Sequence, residues 1–262
     1  MEHFRKKKSL GQNFLKSKSA IRSIVRAGEI IEGDIVLEIG PGKGALTRAL
    51  LETPAHIIAI EKDDRLIPEL EETFAKEIAE NRFTLIHGDF LEMTIEEIVP
   101  KGPYKVIANI PYYITGQLFR KLLEEERSPT RMVVLVQKEV AERIVARDGK
   151  ESILSLSVKA YGVPKIIEKV SKKMFSPMPK VDSAVLLVSS ISKTFFDSIS
   201  EESFFSWIHA GFAQKRKKLI RNLEAVETKE NLEKVFSELS IDTNVRAEAL
   251  PLETWRIMLP TK

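Results

Sequence analysis

Between about residues 30 and 190, short apolar runs alternate with amphipathic stretches, the pattern of β-α-β units that build a mostly parallel sheet. Residues 35–39, 57–60, 84–86, 105–108, 132–136, 153–161 and 184–188 read as strands of a seven-stranded sheet, with helices after most of them. Residues 165–172 fit the same sheet or a connecting segment equally well. Pro177 and Pro179 mark a loop before the last strand, because proline lacks a backbone donor and breaks a helix. After Ser189 the β-branched runs stop, and Phe205, Ile208, Phe212, Leu219 and Leu223 fall in one stripe at helical pitch. Lys217, Lys218 and Arg221 project from the far side, while Lys215 and Arg216 flank the stripe and point to a break there. The expected architecture is an α/β domain over residues 1–189 and a small helical domain over 190–262.

The 262 residues, 43% of them hydrophobic, suffice for one full core and a smaller second one. No run approaches the roughly 18 apolar residues of a membrane span, and the basic N-terminus lacks a following apolar segment and cleavage site, so a soluble, cytoplasmic protein is expected. With no cysteine, disulfides and thiolate metal sites are excluded. His3, His56, His87 and His209 lack ligand spacing, and no catalytic metal is expected. The net charge of +3 conceals an uneven distribution. Arg5, Lys6, Lys7, Lys8, Lys16, Lys18, Arg22 and Arg26 face Glu2 alone, and Lys215, Arg216, Lys217, Lys218 and Arg221 face no acid between residues 204 and 223. Two basic segments on an otherwise acidic body have the form of a polyanion footprint.

Candidate chemistry gathers at strand ends. Gly40, Gly42 and Gly44 follow the first strand of the sheet and precede an apolar helix, in the order E-x-G-x-G-x-G from Glu38. Glycines there let a ligand approach the backbone near unpaired helix N-H groups. The spacing lacks the G-x-G-x-x-G pattern that fits a pyrophosphate. S-adenosylmethionine has no phosphate, and an acid before the turn suits its cationic methionine end. Glu61 ends the next strand, where a carboxylate can take both ribose hydroxyls. Asp89 follows the third strand and can accept from an adenine amine, with Phe90 or a neighbour against the ring. After the fourth come Asn109, Ile110, Pro111, Tyr112 and Tyr113. An amide acceptor, a carbonyl held in extended chain before proline and a flat aromatic face together suit an exocyclic amine on a planar ring.

The chain resembles the rRNA adenine N6,N6-dimethyltransferases of the KsgA type over essentially its whole length. The resemblance rests on K-S-L-G-Q-N-F-L at 8–15, the glycine turn, Glu61, G-D at 88–89, N-I-P-Y-Y at 109–113, V-Q-K-E-V-A at 136–141, F-S-P-M-P-K-V-D-S at 175–183 and Q-K-R-K-K-L at 214–219. Macrolide-resistance relatives that modify 23S rRNA share Q-N-F-L and N-I-P-Y but generally lack K-V-D-S-A-V and the terminal pattern resembled by R-A-E-A-L at 246–250. Met178 in place of a commoner proline and a short loop at 148–150 are mild departures. The resemblance implies a Rossmann-like class I methyltransferase that uses S-adenosylmethionine to dimethylate two adjacent adenosines of 16S rRNA, acting as a monomer on the small subunit or its precursor. It implies that Asn13, Leu15, Gly40, Glu61, Asp89 and Asn109 form the cofactor pocket. Asn109 and Ile110 would hold the target N6, Tyr112 would stack on the extruded base, and Phe175 would clamp it from another side. The competing expectations are a 23S rRNA or DNA adenine methyltransferase, and an assembly or transcription factor that retains the fold without the reaction.

Overall fold

The computed structural model describes residues 13–260. Residues 8–12 of the first motif and the basic residues Arg5 to Lys8 lie outside the described residues. Two compact units divide the chain, the first running to Ala141 and resuming over Val163–Ile191, the second comprising Glu142–Gly162 and the chain from Ser192 onward.

The strands in chain order are β1 (Phe14–Leu15), β2 (Ile35–Ile39), β3 (His56–Glu61), β4 (Phe83–His87), β5 (Lys105–Asn109), β6 (Arg131–Gln137), β7 (Val163–Val170), β8 (Phe175–Ser176) and β9 (Ser183–Ser189). Seven of them form one sheet in the order β4-β3-β2-β5-β6-β9-β7. β2 to β6 are mutually parallel, whereas β9 runs antiparallel to both β6 and β7. Val36, Leu37, Ile57, Ile58, Val106, Ile107, Val133 and Val134 are buried, as near-continuous apolar strands must be when helices cover both faces of a parallel sheet. The strand order reverses between β2 and β5, and ligands of open α/β sheets bind at such a crevice beyond the carboxyl ends of the strands.

One expected strand is a helix. Ile153–Tyr161 opens with Ser152 as N-cap, its hydroxyl accepting from the Ser155 N-H while the Ser155 hydroxyl accepts from the Ser152 N-H. That reciprocal cap sets a helical start that apolar alternation alone cannot reveal. The seventh strand is β7, which begins two residues before the ambiguous stretch and takes up most of it, and it forms a sheet edge whose Lys165 and Lys169 are exposed. Pro164 is compatible with that edge position.

In the second unit, Tyr161, Phe196 and Phe204 are buried within an aromatic cluster. The expected helical stripe is interrupted: Glu201–Phe212 and Leu219–Leu223 are separate helices. The turn between them exposes Lys215, Arg216, Lys217 and Lys218. Asn222, a residue with no apparent sequence signal, pins this turn by donating from Nδ2 to the carbonyls of Gly211 at 2.6 Å and Gln214 at 3.2 Å.

Candidate active site

The carboxyl ends of β2, β3 and β5, with the segment after β4, wall one cavity together with the N-terminal segment Asn13 to Leu15. Asn13, Leu15, Gly40, Glu61, Asp89, Asn109, Ile110 and Tyr112 all line it, as do Glu38, Lys62, Phe90 and Tyr113. Residues 96 positions apart thus meet on one wall, where the Asn109 Nδ2 donates to the Asn13 carbonyl at 3.4 Å.

Gly42 and Gly44 are required by geometry. Both sit at positive φ, +61° and +73°, where other residues are strained. A Cβ on Gly42 would stand 2.9 Å from the Phe14 ring, and one on Gly44 would stand 2.6 Å from the Phe74 ring. The turn they allow brings the Gly42 N-H to within 3.0 Å of the Glu61 Oε2, while the Asp63 N-H donates to Oε1 at 2.8 Å. Burial pushes the Glu61 carboxyl above its ordinary range, and these two N-H donors oppose the shift. Arg65 in turn holds the buried Asp63 by an ion pair at 2.5 Å. Glu61 is therefore a preoriented acceptor, and Asp63 and Arg65 are supporting residues that sequence reasoning passed over.

Asp89 is arranged differently. Its Oδ1 accepts from the Leu91 N-H at 3.1 Å, and its Oδ2 accepts from the Lys62 ammonium. Burial alone would raise its carboxyl, but Lys62 and the Leu91 N-H hold it below the usual carboxylate range. Lys62 was legible in the sequence only as a neighbour of Glu61, and the structure makes it the counter-ion at the cavity rim.

Asn109 closes β5, and Pro111 follows at φ −60° and ψ 133°, keeping the chain extended past the Ile110 carbonyl. Because the Asn109 NH2 is turned to the Asn13 carbonyl, its Oδ1 is the amide atom available to accept from a substrate amine. Tyr112 is half-buried, with its hydroxyl 2.7 Å from the Ser183 Oγ, and burial raises its phenol while Ser183 opposes the rise. Tyr113, which sequence reasoning gave no role, is 58% exposed on the cavity lining.

Phe175 departs from expectation. It is 4% exposed, pairs with Leu15 through the antiparallel β1–β8 ladder and belongs to a buried hydrophobic cluster with Leu15 and Val185. It does not line the cavity. Its place in the structure is that of a packing residue rather than a clamp: Phe175 stands opposite Leu15, which does line the cavity.

The cavity suits S-adenosylmethionine in its donor set. Glu61 offers an ionisable acceptor for vicinal hydroxyls, Asp89 one for an amine, and Phe90 and Leu91 apolar surface. The buried Glu38 Oε2 lines the same space and has no hydrogen-bond partner among the described residues. A cationic ligand group would satisfy that orphaned oxygen. Among the described residues no cluster of His, Cys, Asp or Glu could hold a metal ion.

The model of the ribosomal RNA adenine dimethylase family matches residues 3–259. The chain is 41% identical over 253 residues to the ribosomal RNA small subunit methyltransferase A of Dehalococcoides mccartyi (strain CBDB1), covering 95% of this chain and 86% of that one. It is 40% identical over 254 residues to the protein of the same name from Clostridium botulinum (strain Kyoto / Type A2), covering 95% and 91%. A dimethyladenosine transferase from Plasmodium falciparum superposes with a TM-score of 0.81 at 27% identity, over 94% of this chain and 95% of that one. The 23S rRNA methyltransferase ErmE shares the fold at a TM-score of 0.78 and 24% identity, over 94% and 98%. With the family model matching nearly the whole chain and the strand-end residues converging on one cavity, the chain belongs to the ribosomal RNA adenine dimethylases, enzymes that use S-adenosylmethionine as methyl donor.

Proposed function

We propose that this enzyme dimethylates N6 of two adjacent adenosines near the 3' end of 16S rRNA, on the small ribosomal subunit or its precursor. The observation that carries the chemistry is the Asn109 amide on the cavity lining, its NH2 committed to the Asn13 carbonyl, which leaves its Oδ1 as the acceptor for a substrate amine. The choice of RNA follows the names of the small-subunit relatives to which this chain is similar. Bound S-adenosylmethionine supplies an electrophilic sulfonium methyl. Glu61 takes the ribose hydroxyls, Asp89 the adenine amine, and the Asn13 to Leu15 segment covers the methionine end. Asn109 Oδ1 and the Ile110 carbonyl accept from the target N6, drawing its lone pair out of conjugation with the ring. This is positioning and electrostatic stabilisation, with no covalent enzyme intermediate. Tyr112, its hydroxyl tethered to Ser183, presents its ring to the extruded base. The amine proton leaves to solvent after transfer.

The exposed basic turn of the second unit supplies phosphate contacts, which position RNA without reading its sequence. We infer a monomer acting in the cytoplasm, where its ribosomal substrate is assembled. No helix of the described residues is long and apolar enough to cross a membrane. Incubation with labelled S-adenosylmethionine and unmethylated small subunits, followed by nucleotide mapping, tests the reading. Label on two neighbouring adenosines of 16S rRNA is expected; label confined to 23S rRNA, or none, would overturn it.

A further inference from the structure

Glu38 is the penultimate residue of β2, 1% exposed, and its Oε2 has no hydrogen-bond partner among the described residues although it lines the cavity. An ionised carboxylate so placed is costly unless a positive charge joins it. Among the described residues, no cation of the adjoining elements does so. On β5, Lys105 pairs with Asp34 at 2.7 Å; on the helix Ala45–Leu51, Arg48 lies 5.3 Å from the centre of the Phe74 ring. Lys43 in the glycine turn reaches Glu69 at 3.5 Å, and Lys62 beyond β3 is engaged by Asp89. Among the described residues, the remaining titratable groups on the lining are Glu61, whose negative charge opposes a second one, and the phenols of Tyr112 and Tyr113. Burial raises the Glu38 carboxyl from 4.5 to about 8; the Thr47 hydroxyl opposes the shift and the Glu61 charge adds to it.

We propose that Glu38 is the cation-responsive group of this cavity, holding a proton while no positive charge lies beside it and releasing that proton when a sulfonium or ammonium group enters. Binding of the methyl donor is then coupled to proton release. The O-H bond of the acid breaks, its electron pair stays on the carboxylate and the proton passes to buffer, so the step needs no oxidant or reductant. Glu38 would favour a cationic donor over neutral adenosine-like ligands, through charge complementarity that is not present in advance. The inference rests on the reading that the cavity takes S-adenosylmethionine.

Isothermal titration of the full chain at pH 7, in buffers of differing ionisation enthalpy, tests it with three ligands. S-adenosylmethionine should release close to one proton per protein, and neutral 5'-methylthioadenosine none. S-adenosylhomocysteine, which keeps the ammonium but lacks the sulfonium, assigns the partner: release equal to the donor's identifies the ammonium, and release with the donor alone identifies the sulfonium. Wild-type affinity for the donor should rise roughly tenfold per pH unit between about pH 6 and 7 and level off above about 8, whereas Glu38→Gln should remove both the slope and the proton release. A wild-type heat independent of buffer, or release undiminished in Glu38→Gln, would overturn the proposal. Should Glu38→Gln fail to fold, the wild-type buffer series and pH slope decide alone. Glu61→Gln separates the two readings. Donor affinity indifferent to that change would sink the cavity as the donor site, whereas reduced affinity in Glu61→Gln with no wild-type proton release would sink only the role of Glu38.

Discussion

Replacing Phe175 with alanine distinguishes a packing role from a base-clamping one, because the two roles respond to different substitutions. The residue is 4% exposed, stands opposite Leu15 in the β1–β8 ladder and packs in a buried hydrophobic cluster. Removing a buried phenylalanine costs about 3 to 5 kcal/mol, the sum of lost transfer free energy and the cavity left behind. For a unit of this size that corresponds to a fall in Tm on the order of 10 °C. The damage should spread to the site, since β1 is only two residues long and its neighbour Asn13 holds the Asn109 amide. Donor affinity should therefore fall together with stability. A base clamp behaves otherwise: stacking contributes about 1 to 3 kcal/mol per base and needs an aromatic face, so its loss would spare both stability and donor binding. Phe175→Leu is the control, a residue that fills most of the volume without a π-face. Chemical denaturation, donor calorimetry and methylation of small subunits should show the leucine variant near wild type and the alanine variant impaired in all three. If both variants have wild-type stability and donor affinity yet fail to methylate, Phe175 touches the base and the packing argument is wrong.

Glu61→Ala should weaken donor binding by roughly 1.5 to 3 kcal/mol, the value of hydrogen bonds to an ionised acceptor; unchanged affinity by calorimetry would remove Glu61 from the site. Tyr112→Phe should keep most methylation, losing only the Ser183 hydrogen bond, while Tyr112→Ala should keep donor affinity and lose methylation. Asn109→Ala should lower the single-turnover rate even with saturating RNA, and a wild-type rate would dismiss its Oδ1 as the amine acceptor. Neutralising Lys217, Lys218 and Arg221 together should weaken subunit binding and flatten its salt dependence without changing donor affinity. The effect of Arg221 should be the smallest, since it already pairs with Glu224 at 2.9 Å, and an unaltered salt slope would reduce the basic turn to a solvated surface. Because the Glu38 pKa is raised on folding, its neutral form stabilises the ligand-free protein fully below about pH 4.5, and that stability is lost as pH rises toward about 8. Glu38→Gln should accordingly gain stability relative to wild type between pH 5 and 8, by up to roughly 5 kcal/mol at 1.36 kcal/mol per pKa unit; denaturation midpoints that stay parallel across that range would refute it.

What the chain disclosed in advance, and what it withheld, follows from how far apart the interacting residues lie. The parallel strands were legible because each is a local apolar run, and Glu61, Asp89 and Asn109 were legible because an open α/β sheet places strand ends on one edge. The run at 153–161 misled because its apolar alternation serves a strand or a helix equally, and the Ser152–Ser155 cap that decides between them is a matter of hydrogen bonding. β7 remained ambiguous since Lys165, Glu168 and Lys169 give an edge strand the polarity of a loop. Phe175 looked available to a substrate because it begins a proline-rich segment, whereas its burial depends on pairing with Leu15 from the far end of the unit. Glu38 shows the same limit in its chemistry. The residue type marked it as an acid beside a cationic ligand, but its protonation depends first on its burial and then on the charge of Glu61. A motif names the groups a site contains, and packing decides which of them arrive charged.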